Sequence, residues 1–117
     1  MKEENAVAEK SKRFGVRTIK LYKYMSETTK EYTLGKQILR SGTSIGANVH
    51  EAIYGQSRED FISKMSIALK EASETEYWLE LLRATEYIDE RQYESMIADC
   101  IELKKLLTSI VRSTKAK

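Results

Sequence analysis

The sequence contains no proline and only five glycines, so it lacks both the residue that breaks helices and the turn-former density typical of all-β folds and disordered linkers. One cysteine, Cys100, excludes an intramolecular disulfide, and one histidine, His50, leaves too few soft or nitrogen ligands for a dedicated zinc site. No run approaches the roughly 18 apolar residues that a membrane span needs. The opening MKEENAVAEK lacks the apolar stretch of a signal peptide, so the chain is expected to stay in the cytoplasm, away from membranes. Long helices around one core remain. A chain of 117 residues, 41% hydrophobic and 32% charged, suffices for a single domain that buries roughly two-thirds of its unfolded surface.

Periodicity predicts helices over residues 6–27, 33–54, 58–87 and 90–112, with a basic tail at 112–117 that frays. The first places Val7, Phe14, Thr18, Leu21 and Met25 on one face. The second starts with Thr33 as N-cap, carries Leu34, Ile38, Ser41, Ile45, Val49 and Ala52 inward, and ends near Gly55 as C-cap. Ser57 reads as the N-cap of the third, with Asp60 in a near match to a capping box. There Phe61, Met65, Ala68, Ala72, Thr75, Leu79 and Leu82 step alternately by four and three, the spacing of bundle packing. Tyr93, Met96, Ile97, Cys100, Leu103, Leu107 and Ile110 form the inward stripe of the fourth. Short connections favour antiparallel neighbours, so the fold class is all-α: an up-down-up-down antiparallel four-helix bundle.

Two features exceed a plain bundle. Gly35, Gly42 and Gly46 fall along one side of the second helix, although an interior glycine costs about 1 kcal/mol relative to alanine. Close backbone packing is the expected compensation. On the third helix Ile67, Tyr77, Trp78 and Leu81 lie beside the core stripe, more apolar surface than one stripe needs. They read as the interface of a homo-oligomer, unless neighbouring helices and long charged stems cover them.

The net charge of +2 conceals an uneven distribution. Residues 10–40 carry nine Lys/Arg against two Glu, residues 51–103 five basic against thirteen acidic, and residues 104–117 five basic and none acidic. Lys10, Arg13, Arg17 and Lys20 share one face of the first helix, with Tyr24 continuing the line. The antiparallel return of the fourth helix brings Lys104, Lys105 and Arg112 near. Such a face either tracks nucleic-acid phosphates or is an ordinary solvated surface. No Glu-x-x-His pair, phosphate-binding loop or nucleophile arrangement is present, so the chain reads as a non-enzyme without cofactor or metal. Glu71, Glu74, Glu76 and Glu80 read as a solvated acidic face, except Glu76, which lies near the core stripe and for which Arg40 or Arg83 is the expected partner.

Residues 40–52, Arg-Ser-Gly-Thr-Ser-Ile-Gly-Ala-Asn-Val-His-Glu-Ala, followed by Arg58-Glu59-Asp60-Phe61 and Ala68 to Glu76, carry a family resemblance. The chain resembles, over nearly its whole length, the bacterial four-helix-bundle proteins encoded in intervening sequences of 23S ribosomal RNA genes. The most specific part is the Ser-Ile-x-Ala-Asn-x-x-Glu core that begins at Ser44. The resemblance implies a ring-shaped homopentamer and kinship with accessory proteins of diversity-generating retroelements, which bind nucleic acid and a reverse transcriptase through basic surface. It marks Ser44, Asn48, Glu51, Arg58 and Glu76 as signature positions, the last four read as holding the second helix against the third. The function expected is a scaffold that binds structured RNA weakly through its basic face; the alternative is an adaptor that recruits a partner such as a reverse transcriptase without touching nucleic acid.

Overall fold

In the computed structural model, which describes residues 2–117, four helices follow one another: α1 (Lys2–Thr28), α2 (Thr33–Ile53), α3 (Arg58–Ala84) and α4 (Glu90–Ala116). A 27-residue helix is about 40 Å long, and the molecule measures 47 × 21 × 19 Å, so all four run lengthwise. They meet in cyclic order, α1 on α2, α2 on α3, α3 on α4 and α4 back on α1, the last seam being the sparsest. Side-chain pairs across that last seam give the direction. As α1 advances, its partners on α4 recede: Glu3 meets Ser109, Lys10 meets Glu102, and Arg17 meets Asp99 and Ser95. The up-down-up-down antiparallel bundle expected from the sequence is the fold observed.

Every residue assigned to the four inward stripes is buried, apart from half-buried Leu34, Phe61 and Tyr93. Four polar residues share the core, each with its hydroxyl satisfied. Ser11, Thr18 and Ser41 donate to carbonyls of their own helices, and Thr75 donates to the Ser41 hydroxyl across the α2–α3 seam at 2.8 Å. Cys100 donates its thiol to the Ala72 carbonyl at 3.3 Å, and burial pushes the thiol up to about 12. It is a small core residue, chemically quiet at neutral pH.

The glycines of α2 are accounted for by volume. A Cβ at Gly42 would lie 2.6 Å from Cγ2 and Oγ1 of buried Thr18, and one at Gly46 would meet the Ser11 carbonyl oxygen at 3.2 Å. Gly35 sits against the Tyr22 ring. Absent side chains therefore let α1 and α2 approach closely, and the helix-propensity cost is offset by packing.

Helix ends depart from expectation in physical detail. α1 starts at Lys2 rather than Ala6, with Glu3 and Glu4 in its first turn, where carboxylates favour the helix dipole. Thr33 is not the cap of α2; Glu31 reaches forward instead, its carboxylate accepting from the Leu34 and Gly35 amides. Ser57 caps α3 as expected, accepting from the Asp60 amide at 3.0 Å. α3 stops at Ala84, three residues early, because Glu86 turns left-handed at φ 66° and the amides of Glu86 and Tyr87 fold back onto the Arg83 and Leu82 carbonyls. That closure is the Schellman motif built on a non-glycine residue, and it seats Ile88 in the core. Gly55, by contrast, follows α2 without a left-handed φ. Asp89 and Gln92 form a full capping box at the start of α4. The tail expected to fray continues as helix to Ala116, because the Arg58 guanidinium donates to the Thr114 and Lys115 carbonyls that a helix end leaves unpaired.

Candidate nucleic-acid interface

The basic line of α1 is largely consumed inside the molecule. Lys10 pairs with Glu102 at 2.8 Å and Arg13 with Glu9 at 2.5 Å. Arg17 holds Asp99 at 2.6 Å while also donating to the Ser95 hydroxyl and carbonyl. Of the four, only Lys20 carries no ion pair among the described residues. Two of these cations clasp α1 to α4, and the acidic residues they meet come from the chain's own acidic block. An exposed pair of this kind contributes little, typically below 1 kcal/mol, but it lowers the charge a polyanion would encounter.

On α4 the situation differs. Lys104, Lys105 and Arg112 line an open groove of about 730 Å³ together with the hydroxyl residues Thr108, Ser109 and Ser113. Spacings of three, four and seven along a helix set these side chains on one outward face. Lys105 and Arg112 are exposed and carry no ion pair among the described residues, whereas Lys104 reaches across to Glu76 on α3 at 2.5 Å. Glu76 is thus half-buried against Lys104, not against Arg40 or Arg83. Arg40 instead bridges Glu71 and Glu74, which hold its proton more firmly than usual; Glu74 is kept below the ordinary carboxylate range first by the Trp78 indole N–H and then by Arg40. Two of the three glutamates read as a solvated face, Glu71 and Glu74, are therefore cross-links between helices, and so is Glu76.

The signature positions do not all hold α2 against α3. Glu51 does, pairing with Lys64 at 3.1 Å. Asn48 donates to the Ser44 carbonyl within α2, Ser44 to the Arg40 carbonyl, Arg58 caps α4, and Glu76 also binds α4. The α2–α3 seam depends instead on Arg40 and on the buried Ser41–Thr75 pair, for which sequence spacing gave inward positions but no partner.

Of the residues read as an oligomer interface, Ile67 and Tyr77 are exposed, at 39% and 54%. Leu81 is half-buried, and Trp78 packs on the core. A second apolar surface escaped the sequence reading: Val16, Ile19, Ile53 and Tyr54 border a groove of about 530 Å³ between α1 and α2, floored by Gly15 and Gly46. Its signal was present, two apolar residues three apart and off the core stripe of α1. His50 packs against the Tyr54 ring at a 45° tilt, with centroids 4.8 Å apart. Among the described residues, no three His, Cys, Asp or Glu side chains gather closely enough to hold a metal ion, and no helix is long and apolar enough to cross a membrane.

Known proteins share this architecture. Residues 3–109 match the family described as 23S rRNA-intervening sequence protein. The chain is 58% identical to a protein of unknown function from the S23 ribosomal protein family of Bacteroides thetaiotaomicron, whose crystal structure was determined at 1.70 Å. The two superpose with a TM-score of 0.93 over 94% of this chain and 98% of that one. Among curated proteins none matches the chain. With residues 3–109 matched by the family and 94% of the chain covered by the related structure, the chain belongs to the family of 23S rRNA-intervening sequence proteins.

Proposed function

We propose that the chain is a non-enzymatic, self-assembling scaffold that holds structured RNA through its backbone phosphates. The observation that carries this reading is the α4 groove, where Lys105 and Arg112 stand free beside Lys104 and a row of hydroxyls. Cations release counterions on meeting phosphates, and the Ser113 hydroxyl, whose proton is not committed among the described residues as those of Thr108 and Ser109 are, adds a hydrogen bond that positions a backbone without reading bases. The face proposed is therefore the α4 groove, rather than the ion-paired line of α1. Its test is fluorescence anisotropy of a labelled RNA hairpin with the double variant Lys105→Glu, Arg112→Glu. Affinity is expected to fall at least tenfold and the salt slope to shrink by about two, one for each phosphate no longer neutralised; unchanged binding would reject the groove. Arg17→Glu is a poorer probe, because it sets a carboxylate against Asp99 and loosens the bundle.

Assembly into a ring, of five subunits by the family resemblance, is part of the same proposal. It is supported by two apolar faces on different sides of the bundle, as a head-to-tail contact requires. Ile67→Glu with Tyr77→Glu is expected to lower the mass seen by light scattering, and full assembly would exclude that side of α3. Trp78→Glu is less informative, since it also removes packing on the core.

A second reading is favoured by the apolar α1–α2 groove and by the neutralised α1 face: an adaptor that docks a protein partner, such as a reverse transcriptase, without contacting nucleic acid. Partner capture that survives nuclease and is lost in Val16→Glu would select it.

A further inference from the structure

A different concavity lies on the α1–α4 seam. About 500 Å³ in volume, it has an apolar floor of Leu21 and Met96, both buried, and the Tyr24 ring, 44% exposed, as one wall. Three cations surround it. Arg17 is fixed in place by Asp99 and Ser95, while Lys20 and Arg91 are exposed and carry no ion pair among the described residues. Gln92 lines the same cleft; its side-chain oxygen is committed to the Asp89 amide, which leaves its NH2 group directed to other acceptors. Arg91 joins Arg17, Lys20 and Tyr24 only through the packing of α4 on α1.

We propose that this cleft holds one unpaired nucleotide of a single-stranded segment, with the base stacked on Tyr24 and the flanking phosphates at Lys20 and Arg91. The inference rests on the nucleic-acid reading above and adds a second kind of contact to it. An apolar floor beside an exposed aromatic ring takes a base, and cations contributed by both helices, Lys20 from α1 and Arg91 from α4, take the two phosphates that the base's sugar links. A single ring admits bases of any identity, because each has a π-face. Volume selects the strand. A cleft of this size accepts one nucleotide, whereas a duplex keeps its bases stacked inside and offers the rim only phosphates. The α4 groove, with hydroxyls and no exposed aromatic ring, has no comparable means of taking a base.

The experiment measures anisotropy of a labelled single-stranded RNA, a DNA of the same sequence, and the corresponding duplex, with the full chain and its variants. Tyr24→Ala, at an exposed helical position that tolerates alanine, is expected to weaken single-strand binding about tenfold and leave duplex binding unchanged. Tyr24→Phe retains the ring and should restore wild-type affinity. Lys20→Ala with Arg91→Ala should lower the single-strand salt slope by about 1.4. The tenfold loss on RNA, on DNA or on both supports the cleft, and the arm that shows it identifies the strand accepted. Equal loss on duplex and single strand, or no loss on either, overturns the cleft. Wild-type binding to duplex alone, abolished by Lys105→Glu with Arg112→Glu, overturns the cleft and leaves the α4 groove standing; binding to none of the three overturns both.

Discussion

Toward α2, helix α1 presents Ser11 and Thr18 to Gly46 and Gly42 with no room for another methyl group, whereas toward α4 it reaches out with Lys10 and Arg17 to Glu102 and Asp99. The first seam fixes the relative height of two helices by excluded volume, which salt does not weaken. The second uses flexible side chains in water, so it tolerates change and is screened within about 10 Å at moderate ionic strength. One helix therefore carries a rigid flank and a compliant one. A line of cations on the compliant flank looks in the sequence like a surface for phosphates, yet half of its charge is spent in keeping α4 in place.

The largest effect that tests this contrast is Gly42→Ala. Overpacking against Thr18 costs about 1–3 kcal/mol, only partly recovered by alanine's better helix propensity. A net loss of about 1–2 kcal/mol in urea unfolding is expected, and stability within 0.5 kcal/mol of wild type would mean that the helices do not approach this closely. Arg17→Ala comes next, at about 1 kcal/mol, because it removes the bonds to both Asp99 and Ser95 from a partly buried position. That loss should shrink in high salt, while the Gly42 effect should not; equal salt response would erase the distinction between the seams. Gly15→Ala, in the same helix but facing open space, is expected to gain up to about 1 kcal/mol. A loss there would place another chain or helix in the α1–α2 groove. Smallest is Lys10→Ala, expected to stay within about 0.5 kcal/mol of wild type.

Much of the architecture could be read from spacing alone. Steps of three and four placed the core stripes, since a helix buries one face and its period is fixed. Even Ser41 and Thr75 were put inward, though the hydrogen bond joining them depends on α2 and α3 being side by side. Helix ends were less legible. Glu31 and Arg58 serve ends of helices through side-chain reach, and Glu86 adopts a conformation that sequence assigns by default to glycine. Charge was least legible of all. Lys10, Arg17 and Lys104 were visible as cations, but the acids that meet them lie at distances along the chain of 28 to 92 residues. The role of Arg91 is hidden from sequence for the same reason: its relation to Tyr24 exists only across a seam.

Cys100 gives this molecule a built-in clock. Its thiol is buried in the centre of the α3–α4 contact and stays protonated far above its ordinary value of 9.0, so a thiol reagent at pH 8 has almost no thiolate to attack until the helices separate. The sign of the shift also means that the contribution of Cys100 to folding stability is fully present below pH 9 and is lost as pH rises from there toward 12. Because no other cysteine is present, the labelling rate at pH 8 reports a single event, the opening of the bundle. Each seam can then be ranked by how much its loss hastens that event, with no cysteine introduced for the purpose.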